Sequence, residues 1–349
     1  MKKTKKKSSC HFEPNFLGEK SQNALYLIEL ILLFFLFASC KTQTMQNSKL
    51  TGAVFGTSYS IIYDSGIDYK KQMDSIFYSL NKSLSTYQVN SLISKINRGE
   101  DSLVDAHFLN VFKTSKRIYD TTDGAFDPTI GIVVNAWDFG PSGKIASLDS
   151  IKIDSLMQFV GLNKVKIYET YIEKPRATFL DFNAIAKGYA VDVVGEFLES
   201  QSINNYLVEI GGEIRVRGKN NEKGLPWKVG VEEPHFDDSQ SIMKAITLQD
   251  EAMATSGTYR KFKVNENGER YSHIIDARTG YPSKTNLLSI SVIAKDCMTA
   301  DAYATAFKSM GIEKVQEFLK EHPELKVFLI FENNDKEFET LSINGFPEN

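Results

Sequence analysis

Two apolar rhythms divide this chain. Met73, Ile76, Phe77, Leu80 and Leu84 recur at steps of three and four, which predicts an amphipathic helix over Asp68–Leu84. The same rhythm marks a short helix at Leu92, Ile93 and Ile96 and a third at Phe108, Val111, Phe112 and Tyr119. It returns at Ile153, Leu156, Met157 and Val160, where Gly161 is expected as a left-handed cap. Ala190, Val193, Val194, Phe197 and Leu198 mark a further helix, and Thr299–Met310 the last. Alternating or continuous apolar runs predict strands at Val54–Tyr63, Val165–Ile172, Thr178–Phe182, Tyr206–Ile210 and Glu213–Arg217. More strands are expected at Trp227–Val231, Ala245–Leu248, Thr258–Val264, Tyr271–Ile275, Leu287–Lys295, Leu325–Phe331 and Phe338–Ile343. Gly211-Gly212, Asn267-Gly268 and Asn333-Asn334-Asp335 read as turns between strands, the second as a hairpin. Strands in hairpins and helices in pairs predict an α+β fold with largely antiparallel sheet. No linker divides residues 51–346, so they form a single domain.

The chain has 349 residues, 42% hydrophobic and 24% charged, enough apolar material for a core. Its formal charge of −3 gives no basic footprint, so nucleic-acid binding is not expected. The N-terminus is a different kind of segment. Lys2, Lys3, Lys5, Lys6 and Lys7 precede an apolar run, Leu25–Ala38, that ends in Ala38-Ser39-Cys40. This pattern resembles a bacterial lipoprotein signal over residues 1–39, with Cys40 as the lipidated first residue and 40–50 as a polar tether. The run is short of a membrane span and holds Glu29. The expected location is therefore outside the cytoplasm, on the periplasmic side, anchored at a membrane. Removing the leader takes the net charge from −3 to −6, since it holds six lysines and three glutamates. Of the three cysteines only Cys297 then stays free, which leaves no intramolecular disulfide and a thiol expected to fill the core.

Polar residues gather at four strand–helix junctions: the Gly124 loop, Asp181–Gly188, Gly211-Gly212-Glu213, and Tyr271–Pro282 with the helix after it. Ala184–Gly188 opens a helix, whose free amides and positive dipole end suit an anion, with Lys187 as a point charge beside it. A solvent-facing lysine in a first helical turn is the plainer alternative. Asp301 and Thr305 stand at i,i+4, two oxygen donors on one helix face that suit a hard cation such as Mg²⁺. Tyr87, Phe126 and Trp137, each close to glycines or turns, are candidates to stack on a flat ring or, equally, to fill the core. His273 lies between apolar neighbours, so a hydrogen-bonded core histidine stands beside a catalytic one. Asp276 and Arg278 allow a structural ion pair at the same loop.

Taken together, these segments resemble the ApbE-like FAD:protein FMN transferases over nearly all of residues 51–346. The resemblance rests on Gly56-Thr57, Leu84-Ser85-Thr86-Tyr87, GAFDPTIGIVVNAWDFG, DFNAIAKGYAVD, EIGGEIRVRG, ATSGTYR, YSHIIDARTGYP and MTADAYATA, in the family's order. It implies a compact α+β domain distantly like the tunnelling fold. It also implies an enzyme that binds FAD and Mg²⁺ and attaches FMN to a Thr or Ser hydroxyl of a target protein, releasing AMP. The family's targets include subunits of membrane redox complexes. By the same resemblance Asp301, Thr305 and the Ala184 carbonyl match the metal ligands, and His273 matches the catalytic histidine. Phe55, Tyr87, Ala125, Phe126, Asp127, Asp181, Lys187 and Ile275 fall where the flavin nucleotide is contacted. Attack at a phosphorus between two phosphates needs charge neutralisation and positioning, and a neutral imidazole can accept the hydroxyl proton. Ala277, Asn183 and Phe55 depart from the residues the family commonly has, without removing a proposed ligand. Two rivals follow: an Mg²⁺-dependent FAD pyrophosphatase, and a flavin-binding lipoprotein without chemistry.

Overall fold

The computed structural model describes Ser9 and residues 47–348 except 144, 146, 147, 238, 260, 261 and 265–269. The basic start, the apolar run, Cys40, most of the expected tether, Arg260 and the Asn267-Gly268 turn lie outside the described residues. Among the described residues no helix is long and apolar enough to cross a membrane.

One eight-stranded antiparallel sheet carries the domain. Its strands, in spatial order, are β1 (Ser48–Val54), β2 (Thr57–Tyr63), β5 (Tyr206–Ile210), β6 (Glu213–Arg217), β10 (Ala252–Gly257), β13 (Leu287–Ala294), β14 (Lys326–Glu332) and β15 (Phe338–Ile343). Between them in the chain come the hairpins β3 (Lys166–Tyr168) with β4 (Tyr171–Glu173) and β11 (Phe262–Val264) with β12 (Arg270–Ser272), and the small sheet of β7 (Lys219–Asn220), β8 (Leu225–Glu232) and β9 (Ile242–Leu248). The helices are α1 (Lys70–Leu84), α2 (Leu92–Arg98), α3 (Ala106–Thr121), α4 (Gly131–Ala136), α5 (Ser150–Met157), α6 (Ala186–Ser200), α7 (Cys297–Met310) and α8 (Ile312–Lys320).

Both faces of the main sheet are covered. Strand periodicity sends Tyr206, Val208 and Ile210 of β5 into the large core beneath the helices, while Ile214 and Val216 of β6 enter a second core under β8 and β9 with Trp227, Val229 and Ile246. β13 lies between the two cores, and all eight of its residues are buried; hence its continuous apolar run rather than an alternating one. α7 packs on β10 and β13 and against α6, and its fully buried Ala300, Ala302, Ala304 and Ala306 permit that close seat. At the α6–α7 contact, a Cβ on Gly188 would sit 2.4 Å from the Cys297 carbonyl oxygen and 2.8 Å from Asp301 Cβ. Only glycine fits there, and its role is helix-to-helix approach.

Several expected elements take a different form. Val54–Tyr63 is not one strand: Phe55 (φ 50°) and Gly56 (φ 76°) turn the chain between β1 and β2. β1 already starts at Ser48, so the domain's first strand includes the end of the expected tether. Val165–Ile172 folds as the β3–β4 hairpin, with Glu169 at φ 50°. Thr178–Phe182 supplies only an isolated pairing, Phe179 with Ile130. Gly161 takes φ 131° and ψ 107°, outside the left-handed helical region, because the chain passes there into a short 3₁₀ turn. In place of Thr258–Val264 the main-sheet strand is β10, and β11 is confined to its last three residues. α8 was not anticipated. Cys297 is fully buried, in keeping with a core thiol.

Candidate functional site

The first turn of α6, the start of β6 and the first half of α7 meet in a charge cluster of two buried carboxyls and a half-buried lysine. Lys187 Nζ lies 2.5 Å from Glu213 Oε1. Asp301 Oδ2 accepts the amide of Gly188 at 3.0 Å, so the positive end of α6 faces a protein carboxylate. With both carboxyls ionised, one cation against two carboxylates leaves the cluster one negative charge in excess. Glu213 is 2% exposed and its Oε2 has no hydrogen-bond partner. Burial pushes the Glu213 carboxyl up to about 7, and nearby Asp301 adds to this while Lys187 opposes it. Burial also raises the Asp301 carboxyl, against the pull of Lys187 and the Gly188 amide. Burial works to lower the Lys187 ammonium, yet Glu213 and Asp301 outweigh it and hold it above its ordinary value.

Thr305 lies one turn beyond Asp301 and its hydroxyl pairs with Ser256 at the end of β10, 3.2 Å away. Across the start of α6, Ala186 donates to Phe182 and Tyr189 to Ile185, while Gly188 turns its amide to Asp301. Among the described residues no backbone amide donates to the Ala184 carbonyl. Asp301 and Thr305 of α7 thus lie on the helix that meets the first turn of α6, the turn that carries Lys187 and follows Ala184.

The other expected flavin contacts form two flanks. On one, Asp181 donates its amide to Pro128 (2.7 Å), and Gly131 is so tightly covered that a Cβ would fall 2.6 Å from the Phe179 ring. This joins the Gly124 loop to the turn before α6, and Ser309 of α7 donates to the Ala125 carbonyl at 3.3 Å. Asp127 does not present its carboxylate outward. Oδ1 takes the Thr129 amide (2.8 Å) and hydroxyl (2.6 Å), Oδ2 takes the Leu162 amide (3.3 Å), and burial raises its carboxyl. The carboxylate therefore shapes the loop. Ala125 and Phe126 are buried, Phe126 in the main core, while Tyr87 is 59% exposed and available for stacking.

On the other flank Phe55 lies edge-on to Phe77 at 5.7 Å, beside a pocket of about 590 Å³ that Thr57, Asp74 and Tyr78 also line. Gly211 brings this hairpin to the β5–β6 turn: its amide bonds the Ser58 carbonyl at 3.0 Å.

His273 follows β12, half-buried, with its ring 6.2 Å from Phe139. Ile275 is buried with Val133, Phe139 and Val160 and pairs with Pro282. Asp276 and Arg278 form a two-pronged pair, 2.9 and 2.8 Å, and Arg278 reaches the Ser309 carbonyl at 3.4 Å. This pair organises its own loop. Trp137 donates to the Gly280 carbonyl at 2.9 Å and packs on Tyr271 and Tyr281, so it holds the loop in place. Glu213 is the residue to which sequence reasoning assigned no role. Its only signal was a carboxylate opening a strand straight after Gly211-Gly212.

Comparison with known proteins identifies the family and the fold. The ApbE family model matches residues 55–329. An FAD:protein FMN transferase of Vibrio cholerae is 36% identical over 335 residues, covering 92% of this chain and 98% of that protein. That of Haemophilus influenzae is 35% identical, covering 89% and 93%. Among solved structures, the flavin transferase ApbE from Vibrio cholerae superposes with a TM-score of 0.76 at 34% identity, covering 85% of this chain and 97% of that one. The apo flavinyl transferase ApbE of Pseudomonas stutzeri gives 0.76 at 30% identity, covering 85% and 94%. With a family match across most of its length and a fold shared with solved flavin transferases, this chain belongs to the ApbE family.

Proposed function

We propose that this protein is an Mg²⁺-dependent FAD:protein FMN transferase, which moves the FMN half of FAD onto a Thr or Ser hydroxyl of an acceptor protein and releases AMP. The observation that carries the reading is the Lys187–Glu213–Asp301 cluster, one cation beside two buried carboxyls, at the junction of α6, β6 and α7. The residues fit a hard cation. Asp301, Thr305 and the Ala184 carbonyl are all oxygen donors, and no three His, Cys, Asp or Glu side chains among the described residues are grouped to hold a metal. Water and phosphate oxygens would complete such a shell, as is usual for Mg²⁺. When bound, the cation would neutralise the pyrophosphate and ease departure of AMP.

The chain's own residues do the rest. Lys187 adds a fixed positive charge beside the phosphates. Phe55 and Tyr87 offer ring faces, and the Ala125–Asp127 loop and Asp181 offer backbone and polar contacts to the nucleotide. The acceptor hydroxyl oxygen bonds to the FMN phosphorus, the bond from that phosphorus to the bridging oxygen breaks, and AMP leaves with that oxygen. The hydroxyl proton passes to a ring nitrogen of His273.

Incubation with FAD, Mg²⁺ and candidate acceptors, such as flavin-carrying subunits of membrane redox complexes, tests this. AMP and flavin-labelled acceptor are expected in equal amounts. His273→Ala should keep FAD binding yet lose roughly 10²–10⁴-fold in transfer, the usual worth of a positioned base. AMP release at full rate without acceptor would instead make the protein a pyrophosphatase, and no AMP at all a binding module. We further propose export and anchoring through an acylated Cys40, on the basic start, apolar run and Ala38-Ser39-Cys40. Mass spectrometry of the membrane-extracted N-terminus should find a lipid on Cys40; an intact leader would overturn it.

A further inference from the structure

Glu213 has a free oxygen that its ion pair does not explain. A carboxylate held only to neutralise Lys187 would bury both oxygens against donors, because an unsatisfied buried acceptor costs about 1–3 kcal/mol. Here Oε1 meets Lys187 at 2.5 Å and Oε2, in a residue 2% exposed, meets nothing. The same carboxylate lies close enough to Asp301 for the two negative charges to repel. Two like charges brought together away from water, one with an open oxygen, are relieved by a proton or by a positive partner that joins them. Lys187 cannot be the whole of that partner, because it is a single charge already committed to Oε1 and shared with Asp301. The Gly188 amide at this junction is taken by Asp301, and Oε2 is left without a hydrogen-bond partner.

We propose that Glu213 is a further carboxylate of the divalent-cation site, with Oε2 as the acceptor for the cation or for a water on it. This rests on the metal reading above and adds a side chain to Asp301, Thr305 and the Ala184 carbonyl. It also explains the Gly211-Gly212 turn, which starts β6 so that Glu213 rises on the helix-facing side of the sheet, opposite Ile214 and Val216, which enter the other core.

The proposal is tested by Mn²⁺ binding to full-length protein without FAD, read by electron paramagnetic resonance of the free ion. Glu213→Gln should weaken Mn²⁺ roughly 10–100-fold, the usual cost of losing a group that supports a metal site. Lys187→Met should bind Mn²⁺ at least as well as wild type, and adding Glu213→Gln to it should again weaken binding tenfold or more. If Glu213 served only to hold Lys187, the second substitution would change nothing in the Lys187→Met background, and that result overturns the proposal. So does Glu213→Gln within twofold of wild type. Should a single variant fail to fold, the double variant, which removes both charges, is compared with wild type: weaker Mn²⁺ binding supports the proposal and equal binding overturns it. Wild-type protein that binds no Mn²⁺ would overturn the metal reading itself, a failure distinct from unchanged binding by the Gln variant.

Discussion

Two ion clusters stand side by side under α6, and they are built to opposite rules. Glu213, Arg215 and Arg217 alternate along the helix-facing side of β6. Arg215 is held between two carboxylates. It meets Asp192 at 3.0 Å and Glu199 at 2.9 Å, and Glu199 also takes the Tyr206 hydroxyl at 2.6 Å and Arg217 at 2.7 Å. Asp192 further accepts the Cys297 and Met298 amides, 3.0 and 2.8 Å, which closes the N-terminus of α7. Two residues earlier on the strand, Glu213 shares one lysine with Asp301 and leaves an oxygen open. The satisfied cluster locks α6, α7 and the sheet together. The unsatisfied one lies beside that lock, and its open oxygen is what the metal proposal above would fill. The two clusters differ in completeness, and the incomplete one has the more deeply buried carboxyls.

The comparison can be broken first at its structural half. Arg215→Met strands Asp192 and Glu199 without their central partner and should cost about 3–5 kcal/mol of stability, as removal of one member of a buried pair does. Denaturant unfolding would read this. Glu213→Gln, in the cluster already unsatisfied, should cost far less. Equal losses in the two variants would erase the distinction.

Gly188→Ala tests the lock itself. Its Cβ would fall 2.4 Å from the Cys297 carbonyl, so the helices must part, at about 1–3 kcal/mol. Because the same shift moves Asp301 off the Gly188 amide, FAD-dependent transfer should fall with stability. Unchanged thermal unfolding would show that α6 and α7 have slack.

A third, smaller effect lies at Lys308, a buried ammonium that has no carboxylate partner among the described residues. It is fully buried on α7, bonded to the Thr285 hydroxyl at 3.1 Å, and burial pushes it down to about 8. Unfolding restores an ordinary lysine, so the unfolded chain binds more protons between pH 8 and about 10.5. Stability from this group therefore rises with pH across that window, by up to about 1.4 kcal/mol per unit, and below pH 8 the full penalty applies. Lys308→Met should be more stable than wild type at pH 7, and the difference should shrink by pH 10. A difference independent of pH would place the effect in packing alone.

Much of this architecture was legible from periodicity. β5, β6, β13, β14 and β15 follow their apolar patterns, and α1, α3 and α6 follow their stripes. β10 was hidden because a strand beneath α7 needs small residues: Ala252, Ala254, Ser256 and Gly257 carry little apolar signal. β1 was hidden because an edge strand is mostly exposed. α8 did carry Ile312, Val315 and Leu319 at helical spacing, but its nine residues follow α7 after Gly311 alone. Lys187, Asp301 and Thr305 stand out in the sequence through motifs. The open oxygen of Glu213 could not, since it exists only once three segments far apart in the chain converge. Asp276 and Arg278, the densest polar signal in the sequence, turned to each other instead.

The most direct test of the central claim is FAD affinity with and without Mg²⁺, followed by quenching of flavin fluorescence, with riboflavin as the control that lacks phosphate. A cluster with one surplus negative charge should repel the pyrophosphate until a cation joins it. Mg²⁺ should then tighten FAD by tenfold or more, leave riboflavin unchanged, and lose its effect in Asp301→Ala. FAD that binds equally well with Mg²⁺ or with chelator would contradict the account.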